Sequence, residues 1–305
     1  MDLPVYHPFR SVEAKETYLA AYAEWEKRWP GPSETNIIKT SFGETLVRVN
    51  GPAGAPPLVL LPGACVTSLM WLPNIEGLVE NFRTYAVDYD YGHSVFRQPV
   101  QRVGDLAEWF RQLLEGLGLG YDINLLGISL GGWQAAQLAM VLPERLRGVV
   151  LVSPAATVLP LSAAFTMRFL LSLIPVRPFS SNLIRWMFRD YIRSGETGRE
   201  MTEAAWAEMQ LAIRSFSFEP KRYQKLTVLS DEEWRRIEVP TLFLVGANEK
   251  LYHAHQAVKK INEVAPHIVT AIIPGAGHDL PTVKTEEFNQ KVKEFLMKLR
   301  DGGQL

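Results

Sequence analysis

Residues 125–133 read LLGISLGGW, and they place Ser129 between two glycines where an apolar run ends and an alanine-rich segment begins. The apolar run predicts a buried strand, and the segment over 130–141 predicts a helix. Residues 127–131 form the pattern G-x-S-x-G, in which a sharp turn from strand to helix holds the serine hydroxyl at the edge of a sheet. Small neighbours are needed because the strained turn brings backbone close to backbone. The positive end of the following helix would also face Ser129.

Short apolar runs recur on both sides of this turn and alternate with helical patterns. Runs without polar alternation, separated by helices, indicate a parallel sheet whose two faces are both buried. Two alternating strands precede them and predict a hairpin that turns at Gly43. The sequence therefore predicts an α/β fold with a mostly parallel sheet and helices on both faces. The strands are NIIKTSF (36–42), ETLVRVN (44–50), PLVLL (57–61), RTYAVD (83–88), INLLG (123–127), RGVVLV (147–152), TLFLVG (241–246) and HIVTAII (267–273).

The regular alternation breaks once, between residues 155 and 236. This segment, called the insertion below, is too long for a loop and carries helical patterning throughout. We expect it to form a helical cap, or lid, at the carboxyl edge of the sheet, where open α/β sheets bind ligands. Residues 1–154 and 237–305 are then the core, and 1–32 add an N-terminal helical extension that packs on the outside.

The charge balance and the cysteine count exclude several classes of protein. The chain of 305 residues has 32 basic and 33 acidic side chains, and its net charge of -1 leaves no electrostatic footprint for nucleic acid or an anionic membrane. A small neutral molecule is the expected partner, and the oligomeric state stays open. Pro154 and Pro160 interrupt the uncharged stretch 148–167, so we predict no membrane span. Cys65 is the single cysteine and the start MDLPVYHPFR lacks a secretion pattern, so we expect a cytoplasmic protein.

Two further residues would complete a catalytic triad with Ser129. A serine hydroxyl is a poor nucleophile until a base takes its proton, and histidine is the usual base near neutral pH. His278 follows the last strand, in IIPGAGHDL, and so falls at the same sheet edge as Ser129. Glu249 follows the strand TLFLVG and would orient the imidazole. The alternatives are a loop-capping role for His278 and an ion pair of Glu249 with Lys250.

Other histidines and the cysteine fit other roles better. His93 precedes the serine in the chain and more readily shapes a loop. His253 and His255 could begin a metal site, but no third ligand is in sight, so we predict no metal ion and no cofactor. Cys65 lies in no Cys-His arrangement, and we interpret it as a small residue of the pocket wall.

Two backbone amides are needed for the negative oxygen that develops during acyl transfer. One should be that of Leu130, directly after the serine, and the other that of Ala64, in the loop after PLVLL. Aromatic and methionine side chains near the sheet edge and in the insertion predict an apolar acyl or aryl pocket, although such residues at helical spacing also form cores. The candidate pocket residues are Cys65, Met70, Trp71, Tyr91, Trp133, Trp186 and Trp206.

Together these motifs resemble the α/β-hydrolase superfamily, and within it the bacterial carboxylesterases of the naproxen-esterase kind. The resemblance runs from about residue 36 to 299, and LPERLRGVVLVSPA, VPTLFLVGANEKLY and IIPGAGH carry it beside the serine motif. It implies an eight-stranded, mostly parallel sheet with a lid after the sixth strand. It also implies Ser129 as nucleophile, His278 as base and a glutamate, Glu249, where aspartate is commoner. Pro62 stands where most relatives have a histidine in the oxyanion loop.

The leading hypothesis is a cofactor-free serine hydrolase that cleaves a carboxylic ester through an acyl-enzyme. Its rate should fall as the pH drops through roughly 6 to 7, because the histidine must be neutral to act as base. Amidases, C–C bond hydrolases, acyltransferases and cofactor-free haloperoxidases use similar triads and stay open. A ligand-binding or signalling protein on the same scaffold, with little turnover, is the alternative outside enzymes.

Overall fold

A computed structural model of the chain describes residues 8–89, 92–172, 174, 177–194, 207–208, 210–212, 214–217 and 224–300. Within them, nine strands form one sheet in the order β1-β2-β4-β3-β6-β7-β8-β9, with β5 paired to β2. The strands are β1 (Ser33–Thr40), β2 (Gly43–Asn50), β3 (Pro57–Leu61), β4 (Arg83–Val87), β5 (Val95–Phe96), β6 (Ile123–Ile128), β7 (Leu146–Val152), β8 (Thr241–Gly246) and β9 (Val269–Ile273).

The sheet is parallel except at one edge. β1 and β2 pair antiparallel through the predicted hairpin, with Thr40 opposite Gly43, and β2 also pairs antiparallel with β4. The pairings from β4 through β3 and β6 to β9 are parallel. The prediction of a mostly parallel α/β sheet is therefore confirmed. Eight strands follow the predicted runs, and the ninth, β5, pairs with the start of β2 and is too short to give a sequence signal.

Both faces of the sheet are apolar, because alternate side chains of a strand point to opposite faces. In β3, Val59 and Leu61 enter one hydrophobic cluster, and Leu58 and Leu60 enter the other. All four side chains are fully buried. Burial of each such side chain stabilises the fold by about 1.5–3 kcal/mol, so both faces need a covering layer of helices.

Helices supply that layer on each side. α1, α2 and α11 contribute to the cluster of Leu58, whereas α3, α4 and α9 contribute to the cluster of Val59. In the described residues, no helix has both the length and the apolar character that crossing a membrane requires. The helices are α1 (Val12–Glu26), α2 (Leu72–Leu78), α3 (Val103–Gly116), α4 (Leu130–Val141), α5 (Ala163–Ser172), α6 (Arg177–Met187), α7 (Arg189–Arg193), α8 (Asp231–Arg235), α9 (Ala254–Val264), α10 (Leu280–Val283) and α11 (Thr285–Arg300).

The insertion lies between β7 and β8, and its described part is largely helical. It holds α5 to α8, and residues 207–208, 210–212 and 214–215 are helical as well. β7 corresponds to the sixth predicted strand, after which the resemblance implies a lid. Trp234 of α8 is fully buried in the cluster that includes α9, so this end of the insertion packs on the core. The boundaries of the insertion at 155 and 236 stay a prediction.

The N-terminal helix α1 connects the core to the insertion. On the core side, the Tyr22 hydroxyl donates to Asp88 Oδ2 at 2.7 Å. On the other side, Phe9 pairs with Phe216 through a backbone bridge, and the rings of Tyr18 and Phe216 lie 4.8 Å apart. The helix therefore does more than cover the sheet, since it also holds part of the insertion.

Candidate active site

Ser129 occupies the turn between β6 and α4 with backbone angles φ 55° and ψ −114°. Positive φ at a residue other than glycine costs about 1–3 kcal/mol, and the surrounding structure must hold it in place. The Ser129 amide donates to the Val152 carbonyl (3.0 Å), and the Ser129 carbonyl accepts from the Ala155 amide (2.9 Å). A Cβ on Gly127 would overlap the Gly131 carbonyl group. The glycines of the pattern thus make room for the strained turn.

His278 and Glu249 meet at the ends of neighbouring strands. Glu249 follows β8, His278 follows β9, and His278 Nδ1 lies 3.1 Å from Glu249 Oε2. The Glu249 side chain is fully buried, and its Oε1 accepts from the amides of Lys250 (2.7 Å) and Leu251 (2.9 Å). With a proton on Nδ1, the imidazole donates to this carboxylate and leaves Nε2 available as a base.

Burial and the contact between His278 and Glu249 shift the pKa of each group in opposite directions. Burial alone would lower the pKa of His278, but the charge and hydrogen bond of Glu249 and the charge of Asp279 outweigh it and raise that pKa above 6.5. Burial alone would raise the pKa of Glu249, but the charge and hydrogen bond of His278 and the Leu251 amide lower it below 4.5. Glu249 is therefore ionised at neutral pH and stabilises an imidazolium at His278.

Lys250 contacts Glu249 through its backbone amide. Among the described ion pairs, Glu249 pairs with His278, so the alternative ion pair with the Lys250 side chain is not formed. The Lys250 amide donates to Glu249, and the Lys250 carbonyl accepts from the Ser162 hydroxyl at 2.8 Å. The main chain at Lys250 thus connects the loop of the acid to the start of the insertion.

The two amides predicted for the oxyanion flank Ser129. Leu130 is the first residue of α4, and Ala64 lies in the loop after β3, on the wall of the cavity that also includes Ser129. The Gly131 amide donates to the Pro62 carbonyl at 3.1 Å and fixes this loop against the turn. Pro62 therefore acts through its carbonyl, which any residue supplies. The roles of the Leu130 and Ala64 amides stay a prediction.

Ser129 and His278 line the same cavity, which has a volume of about 440 Å³. The predicted pocket residues Cys65 and Met70 lie on its wall as well. The described hydrogen bonds do not join Ser129 to His278, and such a bond often tightens only when substrate binds. A mostly apolar cavity of this size accommodates a small organic molecule. Its apolar side chains include Trp25, Leu69, Phe165, Phe169, Leu183 and Met187.

Trp71 lies away from the cavity, which corrects the prediction for this residue. It is fully buried, and its ring stacks on Phe288 of α11 with 6.4 Å between the centroids. Met70, the residue before it, lines the cavity. Neighbouring residues of a helical turn face different directions, so only one of the two can reach the cavity.

Trp133 and Trp186 also lie off the cavity wall. Trp133 is buried in the core cluster of Val59, and its indole Nε1 donates to the Thr227 carbonyl of the insertion at 3.1 Å. Trp186 packs under the guanidinium of Arg168, 4.5 Å from its ring centroid. Trp133 thus follows the alternative interpretation, in which aromatic side chains at helical spacing form a core, whereas Trp186 is half-buried and belongs to neither cluster. Tyr91 and Trp206, the other two predicted pocket residues, lie outside the described residues.

Two segments contribute residues to the cavity that the sequence does not predict. The cavity is lined by Trp25 of α1 and by Arg28, which follows that helix, although the sequence predicts that the N-terminal extension packs on the outside. Glu208 of the insertion lines it too. No local pattern marks these residues, because their position depends on how α1 and the insertion pack against the sheet.

Hydrogen bonds join the insertion to the loops that carry His278 and Glu249. In the loop after β9, Asp279 accepts from the amides of Gly277 and Tyr191, each at 3.0 Å. In the loop after β8, the Asn248 side-chain amide donates to Asp190 at 3.0 Å. Because Asp190 and Tyr191 both belong to α7, this short helix is bonded to the loop of Glu249 and to the loop of His278.

Metal ligands do not cluster in the parts of the chain that the structure describes, where no group of three or more His, Cys, Asp or Glu residues could hold an ion. His253 and His255, the pair considered for a metal site, are exposed at the start of α9.

Comparison with known proteins identifies the family. The model of the Alpha/beta hydrolase family matches residues 58–291. Carboxylesterase YbfK of Bacillus subtilis (strain 168) is 32% identical over 292 residues, which cover 94% of this chain and 96% of that protein. The crystal structure of naproxen esterase (carboxylesterase NP) from Bacillus subtilis is similar with a TM-score of 0.84 and 30% identity, over 93% of this chain and 98% of that one. The resemblance inferred from the motifs is confirmed, and the chain belongs to the alpha/beta hydrolase family.

Proposed function

We propose that the protein is a serine hydrolase that cleaves carboxylic esters through Ser129, His278 and Glu249. One observation carries the proposal: the strained Ser129 and the buried His278–Glu249 pair meet at one apolar cavity. Similar proteins that align over nearly their whole length bear the names carboxylesterase and naproxen esterase, which supports the same reaction class.

In the first half of the reaction, Ser129 Oγ attacks the carbonyl carbon of the ester while its proton passes to His278 Nε2. The carbonyl oxygen becomes an oxyanion, which the amides of Leu130 and Ala64 stabilise. The bond to the alcohol oxygen then breaks, and the imidazolium returns its proton to that oxygen. The alcohol leaves, and the acyl group stays on Ser129.

In the second half, water repeats these steps on the acyl-enzyme. His278 takes a proton from the water, whose oxygen attacks the acyl carbon, and the oxyanion forms again at the same two amides. Collapse breaks the bond to Ser129 Oγ, which recovers its proton from His278. Glu249 stays ionised throughout and keeps the imidazole in one tautomer, which its two backbone hydrogen bonds help to fix.

The substrate class follows from the cavity wall. Side chains such as Phe165, Phe169 and Leu183 provide apolar surface beside Ser129. A hydrocarbon or aryl group gains free energy there by leaving water, at about 25 cal/mol for each Å² buried. The proposed substrate is therefore an ester with an apolar acyl or aryl part.

Covalent labelling tests the proposal most directly. A fluorophosphonate should add one adduct to the parent protein at Ser129, as intact mass and peptide mapping would show. Ser129→Ala should stay unlabelled and lose turnover of p-nitrophenyl butyrate, whereas Ser41→Ala, which changes an exposed serine, should behave as the parent. Folded parent protein that neither labels nor turns over this ester would contradict the proposal and favour a ligand-binding role.

A panel of substrates separates the related reactions. Anilides, vinylogous 1,5-diketones and ester-plus-alcohol mixtures report amidase, C–C hydrolase and acyltransferase activity on the same triad. We expect the activated ester to be the fastest of these. Faster turnover of another substrate class would contradict ester hydrolysis as the main reaction but not the proposed triad.

A further inference from the structure

Among the described residues, two carboxyl groups line the cavity, and they differ in their hydrogen-bond partners. Asp279 accepts hydrogen bonds from the amides of Gly277 and Tyr191. Glu208 has a buried Oε1 atom with no hydrogen-bond partner in the described part of the chain. A buried carboxyl oxygen without a partner costs free energy, so a native site that keeps one calls for an explanation.

A second polar atom without a partner lies in the same region. The Tyr18 hydroxyl of α1 is buried and, among the residues described, has no hydrogen-bond partner. Its ring packs edge-on against Trp25, which lines the cavity, with 6.2 Å between centroids. Burial and then the charges of Glu208 and Asp88 raise the pKa of Tyr18. The buried Tyr18 phenol therefore lies close enough to Glu208 for the charge of that carboxyl to act on it.

The charge state of Glu208 narrows the choice of ligand. Burial and then the charge of Asp88 raise the pKa of Glu208 to about 7, and within the described residues no cation lowers it. Both forms of the carboxyl are then present near neutral pH. An ammonium group would need the ionised form and would lose its own hydration shell. A hydroxyl donates to the carboxylate and accepts from the acid, so it fits both forms.

We propose that Glu208 recognises a hydroxyl group of the substrate. The preferred ester then carries a hydroxyl on its acyl or its alcohol part, away from the ester carbonyl. The hydrocarbon between the hydroxyl and the ester group contacts the apolar wall. Glu208 is a specificity-determining residue that contacts the substrate and none of the reacting atoms. The inference rests on the proposed ester hydrolysis and deepens it.

Matched esters test the recognition. In the acyl series, p-nitrophenyl 6-hydroxyhexanoate is compared with p-nitrophenyl heptanoate, which has a methyl group in place of the hydroxyl. In the alcohol series, 6-hydroxyhexyl butanoate is compared with heptyl butanoate. We expect the hydroxylated ester of one series to have a kcat/KM at least about 10-fold higher, as one hydrogen bond to a charged group provides. The series that shows the preference locates the hydroxyl.

Three variants assign the preference to Glu208. Glu208→Leu should abolish it and favour the methyl-terminated ester, and Glu208→Gln should keep part of it because the amide also donates and accepts. Glu232→Leu makes the same chemical change at an exposed position of α8 and should keep the parent preference. Equal kcat/KM values within both series, or a preference that survives Glu208→Leu, would overturn the inference. Faster turnover of p-nitrophenyl 6-aminohexanoate than of the hydroxylated ester would overturn it as well.

Binding to Ser129→Ala separates this inference from the proposed function, since it needs no turnover. Calorimetry should show tighter binding of the hydroxylated ester by a similar factor, and adding Glu208→Leu should remove the difference. If the parent protein were inactive but the Kd values still differed, the result would contradict ester hydrolysis and not hydroxyl recognition. Equal Kd values in an active enzyme would contradict hydroxyl recognition alone.

Discussion

The catalytic edge of the sheet and the wall of the cavity are held by different forces. At the edge, backbone hydrogen bonds fix the chemistry: the Glu249 carboxylate accepts two amides, and the amide and carbonyl of Ser129 are both bonded. The wall includes many apolar side chains from α1 and the insertion, such as the stacked rings of Phe165 and Phe169, 5.9 Å apart. Reaction type therefore depends on short local motifs, whereas substrate shape depends on contacts between distant segments.

Removal of the base at the edge should have the largest effect. We expect His278→Ala to lower kcat for p-nitrophenyl butyrate on the order of 10⁶-fold, because Ser129 then lacks a proton acceptor. His255→Ala, at an exposed position of α9, is the matched control and should keep parent kinetics. A loss below about 10-fold with His278→Ala would show that another group acts as base.

The acid should matter less than the base. We expect Glu249→Gln to lower kcat by about 10⁴-fold, because an amide no longer holds the imidazole in the required tautomer. Glu34→Gln, which changes an exposed partner of Arg83, should leave kcat unchanged. If Glu249→Gln kept parent kcat, the 3.1 Å contact between His278 and Glu249 would have no part in orienting the proposed base.

The turn itself can be broken without touching a reacting group. In Gly127→Ala the new methyl would overlap the Gly131 carbonyl group, so we expect the free energy of unfolding to fall by about 1–3 kcal/mol. Gly104→Ala is the control, because nothing lies within 4 Å of its Cβ and alanine favours a helix by about 0.5–1 kcal/mol. Urea titrations compare the two, and equal midpoints would mean that the turn tolerates a side chain.

The pH dependence of kcat/KM tests how neighbouring charges shift the pKa of His278. Below its pKa the imidazole is protonated and cannot accept the Ser129 proton, so kcat/KM should fall as the pH drops through a value above 6.5. Asp279→Asn removes a charge that raises the pKa of His278, so this limb should move to lower pH. Glu263→Gln, an exposed change, should leave the limb in place. A limb that moved to higher pH in Asp279→Asn would contradict the assignment.

The residues at the edge were predictable because a short local motif marks each of them in the sequence. Ser129 is marked by its glycines, and Glu249 and His278 each follow an apolar run that reads as a strand. Parallel strands end at one edge of a sheet, so residues far apart in the chain meet there without any knowledge of the helices.

The wall was not predictable, because its residues come from distant segments and no local motif marks them. A helical pattern in the sequence does not say what each apolar residue contacts. Trp71 and Met70 are therefore equally good candidates for the pocket, and only the packing of the turn shows that Met70 lines the cavity and Trp71 does not. Glu208 carries no motif, and Trp25 lies on a helix whose apolar residues also fill the core. Their meeting at one cavity depends on the fold of the whole chain.

The smallest effect should come from the wall, where one side chain contributes little alone. Phe169 lines the cavity and is 37% exposed, so Phe169→Ala should change the free energy of unfolding by less than about 0.5 kcal/mol. Its loss should raise KM for p-nitrophenyl heptanoate a few-fold more than KM for the acetate, because the longer chain loses more apolar contact. Leu170→Ala, at the next and more exposed position, should leave this ratio unchanged. If both variants changed the ratio of the two KM values alike, the selectivity would come from the general apolar character of α5. Individual side chains of the wall would then not determine substrate shape.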